Sequence, residues 1–373
     1  MTTETVAYTN GLIFNGVTLF QNHTVLFKGG QWNAMSAGGA SDADTIIDLN
    51  GDILSPGYAD LQVNGGGGVM LNDGPTVALL ETIAKAHRLL GTTCFLPTLI
   101  TDSPDKTSAA IEAVAQAIER GVAGITGLHL EGPHLSIEKK GAHEEQLIRP
   151  MTSVDLEQLL DAAAILPALK VTVAPENVTC EQVRTLAKAG IIVALGHTNA
   201  SYDICKKFQR AGAHCVTHLY NAMSQLGSRE PGLVGASIDN DDVYLGLIAD
   251  GIHVHPTSIR AAWLAKSKPD KFYLVSDAMA LAGTSETSFS LNGRTIIRRD
   301  GHLKLSDGTL AGADLDITAA IKLMHSEAGV ELAAVLRAAV LTPRLILDLP
   351  VTNCPQSDCI RISADLSSAT LLV

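Results

Sequence analysis

The sequence predicts an α/β protein: a (β/α)8 TIM-like barrel carrying a small β-sandwich domain built from both chain ends. Three observations lead there. Short apolar runs recur eight times through the middle of the 373-residue chain, separated by longer stretches of helical period. Polar residues able to do chemistry stand at or just past the C-terminal end of nearly every run. Both chain ends read as short strands broken by turn-forming pairs.

From Val6 to Ile53 the alternating segments VAYT, LIF, VTLF, HTVLF and TIIDL are interrupted by Asn10-Gly11, Asn15-Gly16 and Gly29-Gly30, which marks a small β module. The tail holds two more strand candidates, CIRIS and ATLLV, and these are expected to pair with the N-terminal module. The expected division is residues 1–54 and 344–373 for the small domain and 55–343 for the barrel. The eight runs are Tyr58 to Val63, Cys94 to Leu99, Gly127 to Glu131, Val171 to Ala174, Ile191 to Leu195, Cys215 to Leu219, Tyr244 to Ala249 and Phe272 to Val275. Helical candidates between and after them include Val77 to Leu90, Ser108 to Arg120, Val154 to Leu166, Ile317 to Ser326 and Leu332 to Val340. Eight such units suit a closed barrel, for which ~250 residues plus insertions is usual; a doubly wound open sheet is the alternative. Phe289 to Thr309, with Asn292-Gly293 and Asp300-Gly301, reads as a β-hairpin inserted after the eighth strand.

Composition narrows the function. With 27 basic and 39 acidic residues the net charge is −12, and aromatic residues are only 4%, so neither a phosphate-backbone footprint nor a base-stacking platform is present. Nucleic acid is excluded as a partner. Apolar residues reach 46%, yet no window approaches the ~18 uninterrupted apolar residues of a membrane span. The start MTTETVAYTN lacks the basic flank and apolar stretch of a secretory signal, so the expected compartment is the cytoplasm. Six cysteines form no C-x-x-C pair and read as free thiols.

The strand ends carry the chemistry. They are Gln62-Val63-Asn64, Glu131, Glu176-Asn177, His197, His218, Asp250 with His253, and Asp277. In a barrel these ends meet on one face, where barrel active sites are built. Glu131, His197 and His218 make a sufficient ligand set for one catalytic Zn²⁺ or similar divalent ion. A lone histidine there would be an ordinary satisfied polar residue; three convergent groups are not. Asp277 supplies a further carboxylate, free to take a proton from water and pass it on. Its other reading, a helix N-cap, is disfavoured by Gly283 and Thr284 just downstream. His129, two residues before Glu131, shares its strand face and is a candidate support for the ligands. Asn64-Gly65-Gly66-Gly67-Gly68 is followed by no G-K-[ST] and reads as a loop needing close backbone approach or positive φ. Arg229 lies in the loop after the sixth strand, where its donor fork suits a phosphate, although spacing alone fits a surface arginine equally.

At these residues the chain resembles the N-acetylglucosamine-6-phosphate deacetylases, a family within the amidohydrolase superfamily. The resemblance rests on SPGYADLQVNGGGG from Ser55, LPTLIT from Leu96, LHLEGP from Leu128, KKGAH ending at His143, GHTNA from Gly196, THLYNAM from Thr217, REPGLVGA from Arg229, IADGIHV from Ile248 and LVSDA from Leu274. Their order and spacing together are specific. The resemblance implies release of acetate from N-acetyl-D-glucosamine 6-phosphate, in amino-sugar catabolism and recycling. It implies that Glu131, His197 and His218 bind the metal and that Asp277 is the acid and base. Substrate contacts are implied at Ala142, His143, Asn221, Ala222, Arg229, His253, Leu310, Ala311 and Gly312. In relatives the arginine matching Arg229 reaches the substrate phosphate of a neighbouring subunit, which implies a homodimer.

Two departures qualify it. Many amidohydrolases hold a second metal with an H-x-H pair at the end of the first strand, whereas this chain has Gln62-Val63-Asn64. An amide is a far poorer ligand than imidazole, so one divalent ion per subunit is expected, Zn²⁺ first, with Fe²⁺, Co²⁺ or Mn²⁺ as alternatives. The tail lacks the usual G-x-x-A-D-L-V stretch and last strand, with Ser363-Ala364-Asp365-Leu366 as a remnant. Alternative functions are an amidohydrolase for another acyl-amine or cyclic amide, and a catalytically silent sugar-phosphate-binding protein.

Overall fold

Eight parallel strands alternate with helices and close into a barrel, in a computed structural model that describes all residues except 1–3, 40–41, 292, 307, 352–353 and 373. The barrel strands are Tyr58–Val63, Thr92–Ile100, Leu128–Glu131, Leu169–Val173, Ile192–Leu195, Cys215–Val216, Tyr244–Leu247 and Phe272–Leu274, paired in sequence order. Each matches one of the apolar runs. The run shape follows from burial: strands covered by helices outside and by one another inside have no solvent face to alternate with. Leu130, Val171, Val193 and Val216 share one core with Ile83, Val114, Leu159, Val183 and Phe208 of the surrounding helices.

Closure between the first and eighth strands occurs just past the eighth strand's end. Val63 bridges Ala278 in parallel, the Asp277 N–H donates to the Gln62 carbonyl at 3.1 Å, and the Asn64 N–H donates to the Ala278 carbonyl at 2.9 Å. The open-sheet alternative is thereby set aside. The sixth strand is shorter than its apolar run because the chain turns out of the ladder at His218, where φ is +34°.

The expected helices form, the last running on to Ile346 past the expected end at Val340, and several starts are capped. Thr76 and Ser103 accept from the N–H groups of Leu79 and Lys106, and Ile317–Ser326 is capped by the Asp316 side chain. In the helix Ser153–Ile165, Thr152 and Asp155 form a reciprocal capping box. Asp155 also takes both arms of the Arg149 guanidinium at 2.6 Å each, which ties down the loop running from the third strand to this helix.

The chain ends build two further sheets. One has the order Gln31–Ala37, His23–Lys28, Thr5–Thr9, Thr45–Asp48; the other Ala369–Leu371, Cys359–Ile362, Ile53–Pro56, Leu12–Phe14, Leu19–Phe20. Tyr8, Val25 and Phe27 from the first pack against Ile13, Leu54 and Cys359 from the second in one core, which makes the pair a sandwich. The tail does keep a last strand: Ala369–Leu371 pairs antiparallel with Cys359–Ile362, and Ser363 to Leu366 lie in the turn between them. Gln31–Ala37 was not legible as a strand, because it is mostly exposed and lacks a clean apolar face.

A further expectation is corrected. The insertion after the eighth strand is a three-stranded antiparallel sheet, Ser288–Leu291, Arg294–Arg299 and His302–Leu305, where a hairpin was expected. The extra strand arises because both turns reverse the chain, and Leu291, Ile296 and Leu303 then bury one face against Met70 and Leu281. Asn292 of the Asn292-Gly293 pair, and Val373 at the end of ATLLV, lie outside the described residues. No helix among the described residues is long and apolar enough to cross a membrane.

Burial raises the Asp155 carboxyl pKa, but hydrogen bonds from Arg149 and Thr152 outweigh it and hold the group below the usual carboxylate range. A depressed carboxylate contributes stability above its unfolded pKa of ~4 and loses it as pH falls through the folded value. Asp155→Asn is expected to lower unfolding stability by about 1–3 kcal/mol at neutral pH. The gap between variant and wild type should narrow in urea titrations taken below about pH 4.

Candidate active site

Three strand ends place their side chains on one point. Glu131 Oε1 lies 3.2 Å from His197 Nε2 and 3.1 Å from His218 Nε2, and the two imidazole nitrogens are 3.1 Å apart. All three residues are buried. His197 and His218 take left-handed backbone conformations, with φ of +48° and +34°, as does Asp277 at +51°. Such conformations are unfavourable for side chains other than glycine and mark chain turns held by their surroundings. They swing the side chains off the strand direction and into the barrel mouth.

The His197 tautomer suits a cation. His197 Nδ1 is 2.8 Å from the Lys139 carbonyl, to which it can only donate, so Nε2 presents a lone pair. His218 Nδ1 is buried without a hydrogen-bond partner. Glu131 Oε1 and the two imidazole Nε2 atoms thus converge on one point, where neutral rings protonated at Nδ1 would present lone pairs to a cation. Ligand atoms in a tetrahedral site with ~2.0–2.1 Å bonds stand roughly 3.3 Å apart, so the spacing fits one divalent ion with an open position. Burial raises the Glu131 pKa, but hydrogen bonds and charge from His197 and His218 reverse this and keep it ionised. His143 sits at the edge of this group: its Nε2 is 3.9 Å from Glu131 Oε2, and its Nδ1 is engaged by Thr101 Oγ1 at 2.8 Å. Glu131, His143 and His197 also lie close enough to share an ion, but the first triad is tighter. Burial and the nearby His197 push the His143 pKa down to about 3, so the ring is neutral at working pH.

Asp277 lies beside the triad. Its Oδ1 accepts from Gln62 Nε2 at 3.0 Å and from Asn64 Nδ2 at 2.7 Å. Burial and the Glu131 charge raise its pKa, a direction that favours a group that must carry a proton. Under these residues runs a buried polar chain. The Val63 N–H donates to Thr98 Oγ1, His129 contacts Thr98 and Thr172, and Thr172 Oγ1 meets Thr217 Oγ1 at 2.6 Å. His129 therefore braces the floor, as its position before Glu131 suggested.

A cavity of about 390 Å³ opens above. Glu131, His197, His218 and Asp277 line it, with Ala142, His143, Asn221, Ala222, His253, Leu310 and Gly312. Ala311 is buried and lies outside the lining; Arg229 is exposed in its loop and does not reach the cavity of its own chain. The His253 ring is oriented by Asp250, whose Oδ2 accepts from Nδ1 at 2.6 Å. Sequence reasoning gave no role to Glu138, Lys139, Met279 and Thr309, which also line the cavity. It also missed Arg294, which reaches from the inserted sheet to the Ala142 carbonyl at 2.6 Å. Lys139 acts on His197 through its backbone carbonyl, which leaves no mark in residue type. The tetraglycine loop behaves as expected: a Cβ at Gly65 would collide with the Val69 carbonyl, and Gly67 and Gly68 have positive φ.

A barrel with a buried Glu-His-His cluster and a free carboxylate at its C-terminal face defines a metal-dependent hydrolase site. Residues 53–348 match the model of the amidohydrolase family, and the chain belongs to that family. The chain is similar to N-acetylgalactosamine-6-phosphate deacetylase of Shewanella sp., with 43% identity over 302 residues, 81% of this chain and 76% of that protein. It is similar to N-acetylglucosamine-6-phosphate deacetylase of Haemophilus influenzae, with 39% identity over 300 residues, 80% of this chain and 77% of that protein. The crystal structure of N-acetylglucosamine-6-phosphate deacetylase from Pasteurella multocida superposes with a TM-score of 0.91 at 33% identity, covering 98% of this chain and 97% of that one.

Purified protein is expected to hold about one equivalent of divalent metal by elemental analysis. His197→Ala and His218→Ala should each lose it while keeping the wild-type circular dichroism spectrum.

Proposed function

We propose that this chain removes acetate from N-acetyl-D-glucosamine 6-phosphate to give D-glucosamine 6-phosphate, a step in amino-sugar catabolism and recycling. The observation that carries the reading is the approach of Asp277 to the Glu131, His197 and His218 cluster inside one cavity. Relatives with the corresponding activity in their names support the substrate class.

Glu131, His197 and His218 would hold one divalent ion, Zn²⁺ first among candidates, which when bound polarises the acetamide carbonyl and acidifies water. Asp277 takes the proton of the attacking water. The same carboxyl then returns it to the departing amine, which must leave protonated because an amide anion is too basic to be expelled. Neutral His143 and the Asp250-oriented His253 stand on the cavity wall, where an N–H stabilises charge developing on the acyl oxygen. Asn221, Ala222, Leu310 and Gly312 hold the sugar, with Ala311 packed behind them. Arg229, lying outside its own cavity, completes the phosphate site of a neighbouring subunit in a homodimer. Cytoplasmic placement and a barrel spanning residues 55–343 belong to the same reading.

A second reading, N-acetyl-D-galactosamine 6-phosphate as substrate, is favoured by the name of the Shewanella relative at 43% identity. The two sugars differ in one hydroxyl configuration, so kcat/KM for both on the same preparation decides between them. The proposal predicts the larger value for the gluco sugar; a larger value for the galacto sugar establishes the second reading. Asp277→Asn should keep its metal and lose about 10²–10⁴ in kcat on either sugar.

A further inference from the structure

Strand one ends in two amides where an H-x-H pair would present lone pairs, and both amides present hydrogens. Gln62 Nε2 lies 3.2 Å from each oxygen of Glu131 and 3.0 Å from Asp277 Oδ1. Asn64 Nδ2 lies 2.7 Å from the same Asp277 oxygen. Gln62 Oε1 and Asn64 Oδ1 are buried and have no hydrogen-bond partner. Turning either amide over would satisfy no carbonyl and would set an oxygen against a carboxylate, so electrostatics fixes both orientations. The Gln62 amide has two hydrogens and two carboxylates to serve, one shared across Glu131 and one for Asp277. Both residues are held from behind: the Asp277 N–H donates to the Gln62 carbonyl, and the Asn64 N–H donates to the Ala278 carbonyl.

We propose that Gln62 and Asn64 are positioning residues for Asp277: together they saturate Oδ1, leaving Oδ2 as the oxygen that takes and returns the proton. The same hydrogens fill the space between Glu131 and Asp277 that a second cation would need. Among the described residues Oδ2 accepts no hydrogen bond, while Asp277 lines the cavity. With Oδ1 fixed by two donors, rotation of the carboxylate is blocked and Oδ2 keeps one direction through both proton transfers. Asn64 is the cleaner probe, because Gln62 also touches Glu131. This inference rests on Asp277 being the acid and base.

The test is a kinetic cycle on metal-loaded protein with the phosphorylated sugar. Asn64→Ala is expected to lower kcat about 10- to 100-fold, the range for removing a hydrogen bond to a charged group, with KM and metal content as in wild type. In the Asp277→Asn background the same substitution should change kcat by no more than about two- to threefold, because the proton-carrying oxygen that Asn64 orients is gone although an amide oxygen remains to accept its hydrogen bond. Asn64→Ser, which keeps a donor, should recover part of the loss, and stands in should Asn64→Ala fail to fold. Calorimetric titration of substrate into Asp277→Asn and into Asp277→Asn with Asn64→Ala should give the same affinity. A raised KM with unchanged kcat makes Asn64 a substrate contact and overturns the inference, as does a full multiplicative loss in the Asp277→Asn background. Near-normal kcat in Asp277→Asn overturns the acid/base reading itself, and this inference with it. An impaired Asp277→Asn beside an unimpaired Asn64→Ala overturns the inference alone.

Discussion

Glu131 Oε1, His197 Nε2 and His218 Nε2 crowd together at 3.1 to 3.2 Å in a buried pocket. Without a positive charge among them such an arrangement is unfavourable, because lone pairs repel and buried polar atoms lack water. The surrounding structure is built to hold it in place. Three separate strands deliver the groups, left-handed turns at both histidines aim them, and the Lys139 carbonyl sets the His197 tautomer. Beneath them the threonine and His129 chain satisfies the polar groups of the barrel floor, so the strain stays confined to the mouth.

Barrel closure and chemistry share residues. The bonds that join the first strand to the eighth run through Gln62, Asn64, Asp277 and Ala278. Asp60 contributes as well: it accepts from the Ser276 N–H, and burial raises its pKa to about 7. A carboxylate placed at this seam is fixed by the backbone on both sides. Opening the barrel there would release Asp277 from its amide donors, so the stability of the closure and the placement of this carboxylate are a single constraint. The inserted sheet adds a second support through Arg294, which holds the Ala142 end of the wall above the triad.

Much of this was legible in the sequence, for physical reasons that differ by element. Barrel strands buried on both faces leave continuous apolar runs, and their ends stood out because charged residues such as Glu131 and Asp277 follow buried segments directly. Cys215 to Leu219 overran its strand, since Leu219 is as apolar as the strand although the chain has already turned at His218. Gln31–Ala37 gave no signal because an exposed strand has no need of an apolar face. Gln62 and Asn64 were read as failed ligands. Their work as donors depends on the eighth strand arriving beside the first from more than two hundred residues away, which spacing alone does not express. Arg229 could be noted from its loop, but it is exposed and stands outside the cavity of its own chain.

The most direct test measures acetate release from N-acetyl-D-glucosamine 6-phosphate by the purified protein, beside the unphosphorylated sugar, after stripping the metal and after restoring it. The account predicts release that vanishes on stripping, returns on reloading, and strongly prefers the phosphorylated sugar. Release that persists at full rate without metal would contradict the role given to Glu131, His197 and His218, and absence of release from folded, metal-loaded protein would contradict the substrate.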